Sequence, residues 1–142
     1  MLSMKVIKEI GNHQLIEHDK YAFFTSHKAP MKWYDAIFDW VESLDRDMDC
    51  VMCCNTSEME DEIFKALLWC HIPTILVVMD EFVNYNYDEV IEKALRNNSL
   101  LIIVLKRDEE HGAGQTAYLR NLWMAENASA APLPFQQARK LR

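Results

Sequence analysis

Glycine is scarce in this 142-residue chain, which contains only Gly11, Gly112 and Gly114. Loops that cradle phosphate at the end of a strand usually need glycine, because the backbone amides must approach the phosphate closely. The scarcity therefore disfavours a glycine-rich phosphate loop.

Positive charge is also in short supply, with 15 Lys and Arg against 22 Asp and Glu and a formal net charge of −7. Binding a nucleic-acid backbone requires clustered positive charge, so nucleic acid is disfavoured as a partner. No apolar run reaches the roughly 18–20 residues of a membrane helix. The N-terminal residues lack the features of a signal peptide, and we therefore predict a cytoplasmic protein without a membrane partner.

The four cysteines, Cys50, Cys53, Cys54 and Cys70, raise the question of a metal or redox site. Cys50 and Cys53 have the spacing of half a zinc site or of a redox pair. On a strand, however, these two positions point to opposite faces, and no second pair of this spacing follows. We predict buried structural thiols and no metal, and the missing secretory signal argues against disulfides.

What the chain does contain is an alternation of apolar strands and amphipathic helices. Half of the residues are hydrophobic, which is enough for the core of one domain. Gly11 and Asn12 form a turn signal that predicts an N-terminal β-hairpin over residues 4–18. The predicted strands are 21–25, 50–54, 74–79 and 100–105, and the predicted helices are 31–44, 57–70, 88–96 and 115–128.

This alternation predicts βαβ units, and hence a three-layer, Rossmann-like α/β domain with a mainly parallel sheet. Right-handed crossovers are expected to place helices on both faces of the sheet. We predict a single domain, 1–142. It comprises an N-terminal hairpin region (1–20), a Rossmann-like core (21–128) and a C-terminal tail (129–142).

Parallel sheets bind ligands at the carboxyl ends of their strands, which directs attention to the loops that follow them. At the end of the first strand, Thr25, Ser26, His27 and Lys28 offer two hydroxyls and a cation that suit a phosphate or a carboxylate. An ordinary solvated turn is the alternative interpretation. His27 has no identifiable partner that would make it a general base.

The loop after the second strand carries two overlapping signals. Ser57 and Glu60 fit a capping box at the start of a helix. Alternatively, Asn55, Thr56 and Ser57 present donors to an anion at that helix N-terminus. Both interpretations can hold together, although the charge of Glu60 would repel a phosphate.

Three segments together resemble the DprA/Smf and lysine-decarboxylase-like group of Rossmannoid domains. They are the strand from Tyr21 to Ser26 with its Thr25-Ser26-His27 turn, the strand–turn–helix–strand over 50–78, and the pair Arg120-Asn121. The resemblance covers about residues 21–130 and implies a Rossmannoid fold with a nucleotide-like ligand at the strand ends. The DprA branch also implies binding of single-stranded DNA and a recombinase.

The chain departs from that group where the group carries phosphate-facing glycines, because it has Thr25, Asn55, Thr56 and Ser57 there. The phosphoribohydrolase branch carries a Pro-Gly-Gly-x-Gly-Thr signature that is absent here, so that activity is not expected. The resemblance therefore implies a divergent member that lacks the glycine-rich motif.

We predict a non-catalytic binding or sensor domain for a nucleotide-like or other anionic small molecule, without a cofactor, metal or catalytic residue. The predicted ligand-binding residues are Thr25, Ser26, His27, Lys28, Asn55, Thr56, Ser57, Glu60, Arg120 and Asn121. One alternative is a protein-interaction module whose ligand site has degenerated. Such a module is expected to associate with further copies of itself into a homo-oligomer. Another is an enzyme acting on a nucleotide, which is least favoured because no nucleophile–base pair is visible.

Overall fold

Five strands and five helices form the part of the chain that the computed structural model describes, namely residues 4–23, 32–80, 88–107 and 116–129. The strands are β1 (Met4–Gly11), β2 (Tyr21–Ala22), β3 (Val51–Cys53), β4 (Thr74–Met79) and β5 (Leu100–Arg107). The helices are a 3₁₀ helix (His13–Glu17), α1 (Trp33–Ser43), α2 (Glu58–Trp69), α3 (Glu89–Arg96) and α4 (Thr116–Asn127).

The strands form one sheet in the order β1-β5-β4-β3-β2. Neighbouring strands from β2 to β5 run parallel, and β1 pairs antiparallel with β5. All six residues of β4 are buried, as expected for a central parallel strand covered on both faces. The predicted α/β, Rossmann-like fold with a mainly parallel sheet is therefore confirmed.

Alternating residues of β3, β4 and β5 supply two separate cores. On one face, Val51 and Cys53 of β3 pack with α1, α2 and α3. On the other face, Cys50, Met52 and Cys54 pack with the 3₁₀ helix and α4. Helices cover both faces, but the prediction that the crossover helices do so is wrong. The three crossover helices share one face, because β2 to β5 follow one another in a single direction across the sheet.

The N-terminal segment differs from the predicted hairpin. It does form an antiparallel strand pair, but the partner of β1 is β5, and the residues after the Gly11-Asn12 turn form the 3₁₀ helix. Asn12 starts that helix by accepting a hydrogen bond from the Gln14 amide (3.1 Å). Gly11 has φ +111°, and a Cβ there would lie 2.3 Å from the Leu100 carbonyl oxygen. The glycine thus permits close contact with β5 rather than a reversal into a second strand.

The remaining elements agree with the predicted ones to within a few residues. β2 ends at Ala22, although the Phe23 amide still donates to the Met52 carbonyl (2.8 Å). β5 continues to Arg107, two residues into the stretch 106–114 that the sequence predicts as a loop. Among the described residues, none of the helices combines the length and the apolar content that crossing a bilayer requires.

Candidate functional site

Polar side chains gather where β3 ends and α2 begins. β3 ends at Cys53, and Cys54 to Ser57 connect it to α2, whose first residue is Glu58. Because β2 to β5 are parallel, this connection lies at the carboxyl edge of the sheet, where α/β folds bind ligands. The carboxyl ends of β4 and β5 lie at the same edge.

The capping box predicted at the start of α2 is present. The Glu60 amide donates to the Ser57 hydroxyl (3.1 Å), and the Ser57 amide donates to Oε1 of Glu60 (3.1 Å). Two of the amides at this helix end, those of Ser57 and Glu60, are therefore already engaged by this chain's own side chains. A phosphate at this helix end would compete with the Glu60 carboxylate and meet its negative charge.

Glu60 is 1 % exposed, which is unusual for a carboxylate that caps a helix. In addition to the Ser57 amide, its carboxylate accepts hydrogen bonds from the Thr56 hydroxyl at Oε1 and from the Cys54 thiol at Oε2, both 3.0 Å long. A buried carboxylate needs such donors, because desolvation penalises an unpaired charge heavily. The side chains around the α2 cap thus form a polar network inside the domain.

Arg120 of α4 brings a positive charge to the same network. It is 4 % exposed, and its Nη1 donates to the Thr56 hydroxyl (3.1 Å), which lies 64 residues away along the chain. Its Nε and Nη2 donate to Oδ1 of Asn121 (3.2 and 3.0 Å). The Thr56 hydroxyl accepts from Arg120 and donates to Glu60, so one hydroxyl links the buried cation to the buried anion.

The Cys54 thiol belongs to the network as a proton donor. Burial raises its pKa, the charge of Glu60 raises it further, and the charge of Arg120 opposes that shift. Burial likewise raises the pKa of Cys50 to about 12 and raises that of Cys53. These thiols therefore stay protonated at neutral pH, which does not suit a nucleophile or a metal ligand.

The predicted burial of the cysteines is confirmed for Cys50, Cys53 and Cys54, whereas Cys70 at the end of α2 is half-buried. All four are free thiols. Within the described ranges, no group of three or more His, Cys, Asp or Glu side chains is placed to hold a metal ion.

The structure brings most of the described candidate residues together. Hydrogen bonds join five of them into one continuous network, namely Thr56, Ser57, Glu60, Arg120 and Asn121. Asn55 lies half-buried next to Thr56 in the chain. The other candidates, Thr25, Ser26, His27 and Lys28, lie outside the described residues.

Sequence analysis missed Cys54, whose position at the end of a predicted strand indicates only burial. It also missed Arg107, which ends β5 half-buried and donates from Nη1 to the Thr116 hydroxyl at the start of α4 (3.2 Å). The sequence places Arg107 in a run of mixed charges, and that pattern suggests solvated side chains. Its contact with α4 depends on tertiary structure.

Comparison with known proteins identifies the fold but not a family. No family model matches the chain, and no curated protein matches it. The X-ray structure of DNA processing protein A (DprA) from Streptococcus pneumoniae superposes with a TM-score of 0.60 at 14 % sequence identity. The match covers 93 % of this chain and 50 % of that protein. The chain therefore has a DprA-like Rossmannoid fold and spans about half of that protein.

Proposed function

We propose that this domain is a non-catalytic binding or sensor domain for a nucleotide-like or other anionic small molecule, held at the carboxyl edge of the sheet. One observation carries the proposal: the buried Arg120 guanidinium donates to the hydroxyl of Thr56, an exposed residue, and to the side-chain oxygen of the half-buried Asn121. Such a cation favours an anion nearby, and Glu60, which is linked to it through the Thr56 hydroxyl, offsets part of its charge. Thr56 and Asn121 are the groups that a ligand at this edge would touch first.

The acidic residues at the N-terminus of α2 limit how much negative charge the ligand can carry. Glu58, Glu60 and Asp61 are all acidic residues in the first turn of α2, so several negative charges surround the point where a polyphosphate would sit. A ligand with a single anionic group can bind on the Arg120 side and avoid these carboxylates. We therefore favour a nucleoside monophosphate or a sugar phosphate over a nucleoside triphosphate.

The proposal includes descent from the DprA/Smf and lysine-decarboxylase-like group, as a divergent member without the glycine-rich phosphate motif. The shared fold and the pair Arg120-Asn121 support it. In place of that group's glycines, the chain carries Asn55, Thr56 and Ser57, and two of these side chains belong to the network around Glu60. Loss of a phosphate loop with retention of an arginine fits binding of a less charged ligand.

A thermal-shift scan against nucleoside monophosphates, cyclic dinucleotides and sugar phosphates tests this function. A ligand at about 100 times its dissociation constant adds about 2.7 kcal/mol of stability, which gives a clear rise in Tm. Each variant is compared with its own ligand-free Tm, so that a loss of stability is not mistaken for a loss of binding. Thr56→Val removes the bridging hydroxyl at nearly constant shape, and Arg120→Lys keeps the charge without the planar fork.

Both variants are expected to reduce the ligand-induced shift, whereas Arg46→Lys, on an exposed loop, is expected to leave it unchanged. A flat panel, or a shift that both site variants retain in full, would refute the proposal. Ser26→Ala and Lys28→Ala test separately whether these residues, which lie outside the described part of the chain, contribute to the same site. The predicted cytoplasmic location and homo-oligomeric state stay predictions.

A further inference from the structure

Trp69, the last residue of α2, is 78 % exposed, which makes it a conspicuous feature of the helical face. Tryptophan is the side chain that most often dominates the energy of protein–protein contacts, because a partner can remove a large apolar area from water. An exposed Trp at a helix end is by itself ordinary. The groove and the acidic residues beside Trp69 are the features that indicate a binding surface.

Trp69 borders a groove of about 510 Å³ on the outer surface of α1, α2 and α3. The apolar lining consists of Phe38, Val41, Ala66, Trp69, Cys70 and Val90. Val41 at its base belongs to the core beneath the helices, and Phe38, Ala66, Cys70 and Val90 are partly buried against that core, whereas Trp69 is exposed. The groove has room for one or two medium-sized side chains of a partner.

The rim of the groove is acidic. Glu42 of α1 and Glu62 of α2 both line it, and α1, with sequence WYDAIFDWVES, contains no lysine or arginine. The cation of the lining, Lys65, is paired with Asp61 (3.3 Å) and Asp88 (3.7 Å). The pKa of Tyr34 on α1 is raised by burial and then by the charges of acidic residues on α2, consistent with a negative potential between these helices.

We propose that this groove binds a short segment of a partner protein that presents aliphatic side chains next to lysine or arginine. The aliphatic side chains would pack on Trp69 and enter the groove, and the cations would approach Glu42 and Glu62. This combination of an apolar anchor and a complementary rim gives both affinity and specificity. It is the chemistry of an amphipathic, basic helix lying in a groove.

The proposed docking surface is independent of the anion site. The anion site lies at the N-terminus of α2, and Trp69 lies at its C-terminus. The helix has 12 residues, which corresponds to about 18 Å between its ends. A variant at one site is therefore expected to leave binding at the other site intact.

The test uses the full chain and a fluorescently labelled 14-residue amphipathic peptide of leucine and lysine, with binding followed by fluorescence anisotropy. A peptide with glutamate in place of lysine serves as the control ligand. We expect the Leu/Lys peptide to bind and the Leu/Glu peptide not to bind. Trp69→Ala is expected to weaken binding by about tenfold or more, as for an interface hot spot.

Charge-reversal variants distinguish attraction of the peptide by the rim of the groove from attraction by the net charge of the protein. Glu42→Lys combined with Glu62→Lys should weaken binding by about tenfold or more. The matched control, Glu17→Lys combined with Asp19→Lys, makes the same change in net charge at exposed positions outside the helical layer that carries the groove. It should have less than about a threefold effect, because a distant surface charge is largely screened at physiological salt. Arg120→Lys should leave the peptide affinity unchanged.

Equal binding of both peptides would overturn the proposal, as would unchanged affinity in Trp69→Ala. An equal loss of affinity in the control charge pair would show that the net charge of the protein attracts the peptide. Self-association of the chain that Trp69→Ala abolishes would identify a second copy as the occupant and would also overturn the proposal. Retained peptide binding with a flat ligand panel would leave this surface supported while the anion site fails.

Discussion

Replacement of Glu60 by alanine is the perturbation that tests the polar network most directly. The carboxylate accepts hydrogen bonds from the Ser57 amide, the Thr56 hydroxyl and the Cys54 thiol, and it is 1 % exposed. It also balances the charge of Arg120 through the Thr56 hydroxyl. Truncation to a methyl group removes the acceptor for all three donors and leaves the arginine without this counter-charge.

The expected cost follows from the burial of these groups. A buried donor that loses its acceptor costs about 1–3 kcal/mol, and this applies to the Ser57 amide. Removal of one member of a buried pair of charges costs about 3–5 kcal/mol, because the other charge is left buried without compensation. Because the Thr56 side chain is exposed, water can rehydrate its hydroxyl. We therefore expect Glu60→Ala to lower the free energy of unfolding by about 3–5 kcal/mol.

Urea denaturation at neutral pH, followed by circular dichroism, measures this change. Glu60→Gln keeps the shape and one acceptor oxygen, so we expect a smaller loss of about 1–3 kcal/mol. Glu62→Ala, two residues further along the same helix and exposed, is the matched control and should stay within about 0.5 kcal/mol of the parent. If Glu60→Ala costs less than about 1 kcal/mol, the network does not stabilise the fold and this reasoning is wrong.

Three further predictions follow from the backbone and the thiols. Gly11→Ala should lower the free energy of unfolding by more than about 1 kcal/mol in the same urea assay, because φ is +111° and the new Cβ would meet the Leu100 carbonyl oxygen; an unchanged midpoint would contradict the close contact. Cys70, half-buried at the end of α2, should be the fastest thiol to react with Ellman's reagent in the native protein, and Cys70→Ser should abolish that fast phase. Stability should also fall above about pH 9, since the unfolded state loses the Cys50 proton near its ordinary pKa while the native state keeps it up to about pH 12. The slope approaches about 1.4 kcal/mol per pH unit for each such buried thiol near pH 10, where the unfolded thiol is ionised, and is smaller at pH 8 and 9; a flat profile from pH 8 to pH 10 in urea denaturation would count against burial of the thiol.

Local patterns in the sequence predict the individual elements well. The apolar run from Ile75 to Met79 predicts β4, because a short run rich in β-branched residues is typical of a strand covered on both faces. The spacing of Ser57 and Glu60 predicts the capping box, because both partners lie within one helical turn. These features depend only on residues that are close in sequence, so they can be predicted from one sequence alone.

Features that depend on distant partners could not be predicted in the same way. The turn signal at Gly11 and Asn12 suggested a hairpin, but β5 provides β1 with a longer antiparallel partner, and the choice between the two depends on the assembled sheet. The acidic and apolar rim around Trp69 likewise appears only when three helices lie side by side. Exposure of an aromatic at a helix end has no sequence pattern of its own.

Some features of the candidate site follow from the sequence, and others follow only from the tertiary structure. The sequence by itself determined the alternating α/β pattern, the α2 cap and the thiol burial at Cys53 and Cys54, because periodicity and short spacings are local. Only the tertiary structure decided that Arg120 reaches Thr56 across 64 residues and that Glu60 becomes a buried acceptor instead of a solvated cap. The physical reason is that burial and charge pairing depend on which elements pack together, and the packing of α4 against the sheet is not encoded in any short stretch of the chain.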